Sequence, residues 1–130
     1  MANAPVPIPT ALTEPFYAAA AEGRLLIQRC PATGKAQWYP RAHSIHDIRA
    51  DPEWLEVSGK GEVYTYSVVA RGPFDDVEAP YVFAIVELEE GVRLATNIVG
   101  VDPADVRIGL PVQVTFQKRG DVTLPMFTAA

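Results

Sequence analysis

The residues best suited to chemistry lie in one stretch, "CPATGKAQWYPRAHSIH", residues 30–46. It opens on Cys30 and closes on His43 and His46, with two residues between the histidines. Thr33 stands at the second position of a C-x-x-C spacing. A tetrahedral zinc takes four thiolate, imidazole or carboxylate ligands, often from such closely spaced pairs. Cys30, His43 and His46 offer three, and Asp47 or water could complete the set, which would leave an open position of the kind catalytic sites keep. Threonine is not a zinc ligand of any strength, so the set is incomplete and no stoichiometric zinc is expected. The competing reading is a hairpin held without metal by the packing of Trp38, Tyr39 and the Leu25/Ile27 face. Cys30 as a nucleophile would need a base and an orienting group. His43 or His46 could be the base, but no third member is apparent, and a lone cysteine more often behaves as a small buried hydrophobe.

Other residues suggest weaker chemistry. "SGKGE", residues 58–62, lacks the phosphate-loop pattern and leads into a strand rather than a helix, so Gly59 and Gly61 read as a tight turn into that strand. Tyr64 and Tyr66 alternate onto one face, where exposed rings could stack bases or an adenine; core or interface packing is the preferred reading. Arg71, Arg93, Arg107, Lys118 and Arg119 are the basic residues a coenzyme A phosphate could use. A solvated surface explains them equally well.

The elements that must position these residues follow from patterning. Residues 1–12 carry Pro5, Pro7 and Pro9 and read as an extended arm. "TEPFYAAAAEG", residues 13–23, reads as a short helix with Thr13 as cap, Pro15 in the first turn and Gly23 just past the end. "RLLIQRC" (24–30) and "AQWYP" (36–40) read as strands joined by a turn at Gly34. Residues 40–61 read as irregular. β signal then dominates: "EVYTYSVVA" (62–70), "YVFAIVEL" (81–88, apolar on both faces), "VRLATNIVG" (92–100), "IGLPVQVTFQK" (108–118) and "VTLPMFT" (122–128). The acidic "FDDVEAP" (74–80) reads as a solvated loop. "DPADV" (102–106) supplies a helical turn with Asp102 as cap. Three strands, a short helix and two strands is the order of a five-stranded OB barrel, with an SH3-like or other small barrel as the alternative.

Several of these stretches together resemble the DUF35 family of zinc-ribbon/OB-fold, acyl-CoA-associated proteins. They are "AAAEGRLLIQRCPATGKAQWYPR", "WLEVSGKGEVYTYSVV", "PYVFAIVELEEGVRLATNIVG", "DPADVRIGLPVQVTF" and "LPMF", and they cover roughly residues 13–128. The resemblance implies an N-terminal helix with a rubredoxin-like zinc ribbon, followed by an OB barrel. It also implies a small non-catalytic partner of thiolase-like, hydratase-like or aldolase-like enzymes that helps to bind or channel coenzyme A thioesters. The family's ribbon has C-x-x-C twice; against it, Cys30, Thr33, His43 and His46 fall at the four positions, so the ribbon is degenerate.

The expected architecture is therefore mainly β: an arm over 1–12, helix plus degenerate zinc ribbon over 13–56, and the barrel over 57–130. No residue is expected to be catalytic and no cofactor of its own is expected, with a coenzyme A thioester as a ligand shared with the partner enzyme. Phe16, Tyr17, Trp38, Tyr39 and Arg41 are the candidate partner contacts, since aromatic and arginine side chains are frequent hot spots. The net charge of -5 opposes phosphate neutralisation as the main task, which disfavours the alternative of a single-stranded nucleic-acid binder. No apolar run approaches the roughly 20 residues that span a bilayer, the N-terminus reads as no secretory signal, and one cysteine fits a reducing cytoplasm.

Overall fold

A computed structural model describes residues 6–72 and 78–130. Residues 6–10 form neither helix nor strand, and Val6 lies beside Gly120. The remainder of the arm, and Pro73–Val77 of the acidic loop, lie outside the described residues; Glu78, Ala79 and Pro80 of that loop are exposed.

Helix α1 spans Glu14–Ala21. Phe16, Ala19 and Ala20 are its buried residues, at the spacing of one helix face. Thr13 holds the cap position but does not cap: its hydroxyl accepts from the Thr10 N–H at 2.9 Å, so the side chain is turned back along the arm. The helix ends as expected. Gly23 takes φ +77°, Arg24 N–H reaches Ala19 O at 2.9 Å and Gly23 N–H reaches Ala20 O at 3.0 Å, a Schellman closure.

Strands β1 (Leu25–Arg29), β2 (Ala36–Gln37) and β3 (Glu53–Val57) form an antiparallel sheet in the order β2-β1-β3. Two expectations are corrected here. The strand over 36–40 is only two residues long, because Trp38 leaves the sheet to join the helix. Residues 40–61 are not irregular throughout, since β3 pairs along all of β1, from Leu25 opposite Val57 to Arg29 opposite Glu53. Its five residues carry two glutamates and only half-buried apolar side chains. The pairing explains them: Glu53 accepts from Arg29 Nε at 2.9 Å and Glu56 from Arg24 at 3.0 Å across the sheet.

β4 (Lys60–Val69), β5 (Tyr81–Leu88), β6 (Arg93–Ile98), β7 (Pro111–Arg119) and β8 (Val122–Ala129) close into a barrel in the order β4-β5-β6-β8-β7. All pairs are antiparallel except β6 with β8. This is the five-stranded OB topology. A 3₁₀ turn, Pro103–Asp105, precedes β7, and Asp102 caps it by accepting from Ala104 N–H at 2.9 Å. Val112, Val114 and Phe116 share the inward face of β7, as their alternation requires. β5 differs from the expectation of burial on both faces: Val82, Ala84, Val86 and Leu88 are buried, whereas Phe83 is 47% exposed. A barrel has one core, so an apolar residue on the outer face has nothing to cover it.

A single apolar cluster runs through the molecule, joining Phe16 of the helix, Leu25 and Ile27 of the ribbon sheet, and Val63, Val86, Val112 and Phe127 of the barrel. Helix α1 lies between β1 and β8 and so couples the two parts. Barrel closure rests on Gly61, which pairs with Leu88 of β5 on one side and Val112 of β7 on the other. A Cβ there would meet Glu87 O. Gly61→Ala is expected to cost about 1–3 kcal/mol, the range for overpacking, read as a lower denaturation midpoint at unchanged m-value. An unchanged midpoint would show that the closure tolerates the methyl group.

Candidate functional site

Two places gather the residues that the sequence singles out. The first is the ribbon loop. Gln28 and Gln37 are both buried, and their side-chain amides join at 2.8 Å, Gln37 Nε2 donating to Gln28 Oε1. Each amide also serves backbone. Gln28 accepts from Arg41 N–H at 2.8 Å and donates to Arg41 O at 3.0 Å. Gln37 accepts from Ile45 N–H at 2.9 Å and donates to His43 O at 3.3 Å. A primary amide carries both a donor and an acceptor, so each glutamine acts as a short piece of strand against the loop.

Cys30 follows β1 and has no exposed area. The Ser44 and Thr33 hydroxyls, and to a lesser extent the Thr33 and Ala32 N–H groups, are the polar groups beside it that favour its ionised form. The hydroxyl of buried Ser44 in turn accepts from His46 N–H at 3.0 Å and Asp47 N–H at 3.2 Å. The matching of His43 and His46 to the second ligand pair is therefore corrected: Ser44 faces Cys30. His43 and His46 are exposed, and the His46 ring hydrogen-bonds with Ala36 O at 3.1 Å. A backbone turn decides which side chains point inward, and spacing alone cannot distinguish 43 and 46 from 44 and 47. Asp47 is held by Arg49, whose hydrogen bonds keep its carboxyl below the usual range. Among the described residues no three of His, Cys, Asp and Glu come together in a way that could hold a metal ion. Hydroxyls of Ser and Thr are poor substitutes for the thiolates of a ribbon, so the family's zinc does not fit this donor set.

The pull of the Ser44 hydroxyl, then of the Thr33 hydroxyl, outweighs desolvation and lowers the Cys30 thiol from 9.0 to about 7. The folded state thus favours the thiolate. Its contribution to stability is complete above about pH 9, where the unfolded thiol also ionises, and is lost as pH falls through about 7. The melting temperature of the native chain, relative to Cys30→Ala, should rise between those two values; a flat difference would show that the thiol stays protonated.

The second place is a groove of about 330 Å³ where the helix and ribbon meet the barrel. β6 and β8 pair only at Ile98 and Phe127. Beside that point the strands part, and the Thr96 hydroxyl bridges the gap by donating to Pro125 O at 3.3 Å. Phe16, Tyr17, Trp38 and Tyr39 line the groove from the ribbon side. Their rings form a chain with centroid spacings of 5.0 Å (Phe16–Tyr17), 5.0 Å (Phe16–Trp38) and 5.4 Å (Trp38–Tyr39). Burial, and the nearby Tyr39, raise the Tyr17 hydroxyl above its ordinary value. Phe16 is buried and Trp38 packs on the core, whereas Tyr39 is 55% exposed on the rim. Arg41 is exposed, but its backbone is committed to Gln28. Phe83, Leu94 and Arg119 line the barrel side. Sequence reasoning missed Phe83, because 81–88 is apolar at nearly every position and only the structure shows which face is turned out.

Tyr64 and Tyr66 do not share a face. The β4–β5 register shifts between Val63 and Thr65. Tyr64 is left exposed under the Arg93 guanidinium, 3.8 Å from the ring centroid, while Tyr66 packs against the core. An extra residue in one strand reverses the alternation beyond it.

A three-stranded ribbon sheet, docked by a helix onto an OB barrel, defines the class of protein. The family model for the ChsH2 C-terminal OB-fold domain matches residues 54–117, and that for the ChsH2 rubredoxin-like zinc ribbon domain matches residues 18–44. The chain belongs to the DUF35 family. It is 44% identical over 97 residues to a DUF35 domain-containing scaffold protein of Methanocaldococcus jannaschii, covering 72% of this chain and 68% of that one. It is 40% identical over 116 residues to a probable enoyl-CoA hydratase alpha subunit of Thermomonospora curvata, covering 88% of this chain but only 36% of that protein. A solved structure of an Ltp2-ChsH2(DUF35) aldolase contains a chain that superposes with a TM-score of 0.87 at 37% identity, over 95% of this chain and 98% of that one.

The amide pair makes its own prediction. Gln37→Ala leaves Ile45 N–H and His43 O without side-chain partners; at about 1–3 kcal/mol for a buried group left unsatisfied, the loop should lose amide-exchange protection around residues 41–46 before the barrel does. Equal loss in both would show that the ribbon and barrel unfold only together.

Proposed function

We propose that this protein is a non-catalytic accessory subunit that docks on an acyl-CoA hydratase-, aldolase- or thiolase-like enzyme and helps to bind or channel the acyl-CoA. The observation that carries this reading is the likeness over nearly the whole chain to the DUF35 part of an aldolase complex. The names of the relatives support the same class of partner. The groove supports the second half of the proposal. It has an aromatic and aliphatic wall, Arg119 at one side, and two exposed rings, Tyr39 and Phe83, at its rim. Exposed aromatic side chains beside an apolar cleft are suited to a protein interface, and an apolar wall suits an acyl chain. Zinc has no role in this reading, and no other cofactor is needed. The nucleic-acid alternative has less support, because the exposed Tyr64 ring already carries the Arg93 guanidinium on one face and Tyr66 is packed inward, which leaves no two-ring stacking platform.

The test is co-purification of the untagged chain with its native partner, followed by acyl-CoA assays with and without the chain. The isolated chain should turn over no acyl-CoA, and its addition should raise the partner's activity. Tyr39→Ala and Phe83→Ala should each weaken association by more than about 1 kcal/mol at unchanged melting temperature. Trp38→Ala should instead destabilise the isolated chain by on the order of 2 kcal/mol, less than a fully buried tryptophan would. Thioesterase, thiolase or hydratase turnover by the isolated chain would overturn the proposal.

A further inference from the structure

One residue opens the seam between β6 and β8. Val99 N–H reaches Phe127 O at 2.8 Å, so the odd-numbered residues of β6 turn their backbone groups toward β8, and the even-numbered ones toward β5. On β8, Thr123, Pro125 and Phe127 face back by the same alternation. A parallel ladder continued from Ile98 and Phe127 would bring the N–H of residue 125 to Ala95 O, and proline has none. Pairing stops there: Ile98 with Phe127 is the one β6–β8 pair among the described residues, and Pro125 O takes the Thr96 hydroxyl instead. The Ala95 carbonyl therefore faces the groove with no strand donor among the described residues, and Ala95 is exposed. Open strand edges are usually guarded by charge or cover. Arg93, the neighbouring residue on this edge, is no guard, because its guanidinium is drawn over the Tyr64 ring.

We infer that the β6 edge at Ala95 accepts an extended segment of the partner enzyme as an added strand, apolar at alternate positions and carrying a carboxylate toward Arg119. The inference rests on the accessory-subunit reading above and names the contact that holds the complex. A strand sends alternate side chains to opposite faces, and both faces here are apolar. Inward, they would meet Leu94, Met126 and Trp38 in the groove. Outward, they would lie beside Phe83, one strand away and 47% exposed. Among the described residues that line the groove, Arg119 carries the charge, so an acidic side chain complements it. In strand addition the backbone bonds supply affinity and the side-chain pockets supply selectivity. A small ligand with amides but no side chains would use the edge and leave both faces bare.

The test uses the full chain and the native partner that co-purifies with it. Hydrogen exchange of the Ala95 amide should slow at least about tenfold in the complex relative to the isolated chain. Ala95→Pro removes the N–H turned to the gap and leaves the β5 ladder, which uses Leu94 and Thr96, in place. It should weaken association at least about tenfold while lowering the melting temperature of the isolated chain by no more than about 4 °C. Ala95→Ser keeps the N–H and should bind like the native chain. Arg119→Glu should weaken association at least about tenfold. If Ala95→Pro does not fold, the exchange measurement on the native chain decides. A complex that leaves Ala95 exchange unchanged overturns the inference and spares the accessory-subunit reading, whereas absence of any complex overturns both. Protection of Ala95 by acetyl-coenzyme A alone assigns the edge to a ligand's amides, and protection that grows with the concentration of the isolated chain assigns it to a second copy. Either result, or Arg119→Glu binding as tightly as the native chain, also overturns the inference.

Discussion

The hydrogen bond between the buried amides of Gln28 and Gln37 is the contact on which the N-terminal half depends. Between β2 and β3 the chain runs through a loop that turns inward; Trp38 at its start packs on the core, but beyond it the exposed Ile45 and Ile48 do not anchor it. Without partners, the buried backbone groups of such a loop would be a net cost. The two glutamines meet that demand at Arg41, His43 and Ile45. With the loop held there, Ser44 falls against Cys30 and β3 returns alongside β1. Because β1 carries Leu25 and Ile27 into the common core, the same contact connects the ribbon to the barrel.

The groove is the complement of this arrangement. An OB barrel closes poorly between its third and fifth strands, and here that junction is reduced to one parallel pair, Ile98 with Phe127. Pro125 has no N–H to donate, and Thr96 spans the gap by its side chain. Helix α1 covers the weak seam with Phe16, against which Tyr17 and Trp38 pack edge-on or tilted, with Tyr39 edge-on to Trp38 at the margin. A cleft at a barrel seam, bounded by a separate small sheet, can change shape without opening the barrel's main hydrogen-bond ladders.

The donor set of the ribbon loop differs from that of a zinc knuckle. A zinc knuckle is sensitive to chelators and to oxidation of several thiols. Here one thiol remains, enclosed beside the Ser44 and Thr33 hydroxyls, and the loop's main support is a neutral amide pair that does not titrate. The loop therefore rests on two buried polar side chains that must remain fully paired.

Alternation and β-branched content were enough to place the barrel strands, because each has one face in a single core and its pattern has period two. Helix α1 was legible from Pro15, the alanines and Gly23, which act within a few residues of one another. The family resemblance was likewise legible in the order and spacing of the stretches. Three things were decided only in three dimensions. β3 carries two glutamates whose partners, Arg24 and Arg29, lie 32 and 24 residues away in sequence. The bulge at Tyr64 turned two tyrosines that alternate in sequence into one exposed and one inward ring. And Ser44, rather than His43 or His46, came to face Cys30, because the direction of a side chain in a loop is set by backbone turns and by the distant amides that hold them, neither of which leaves a periodic mark in the chain.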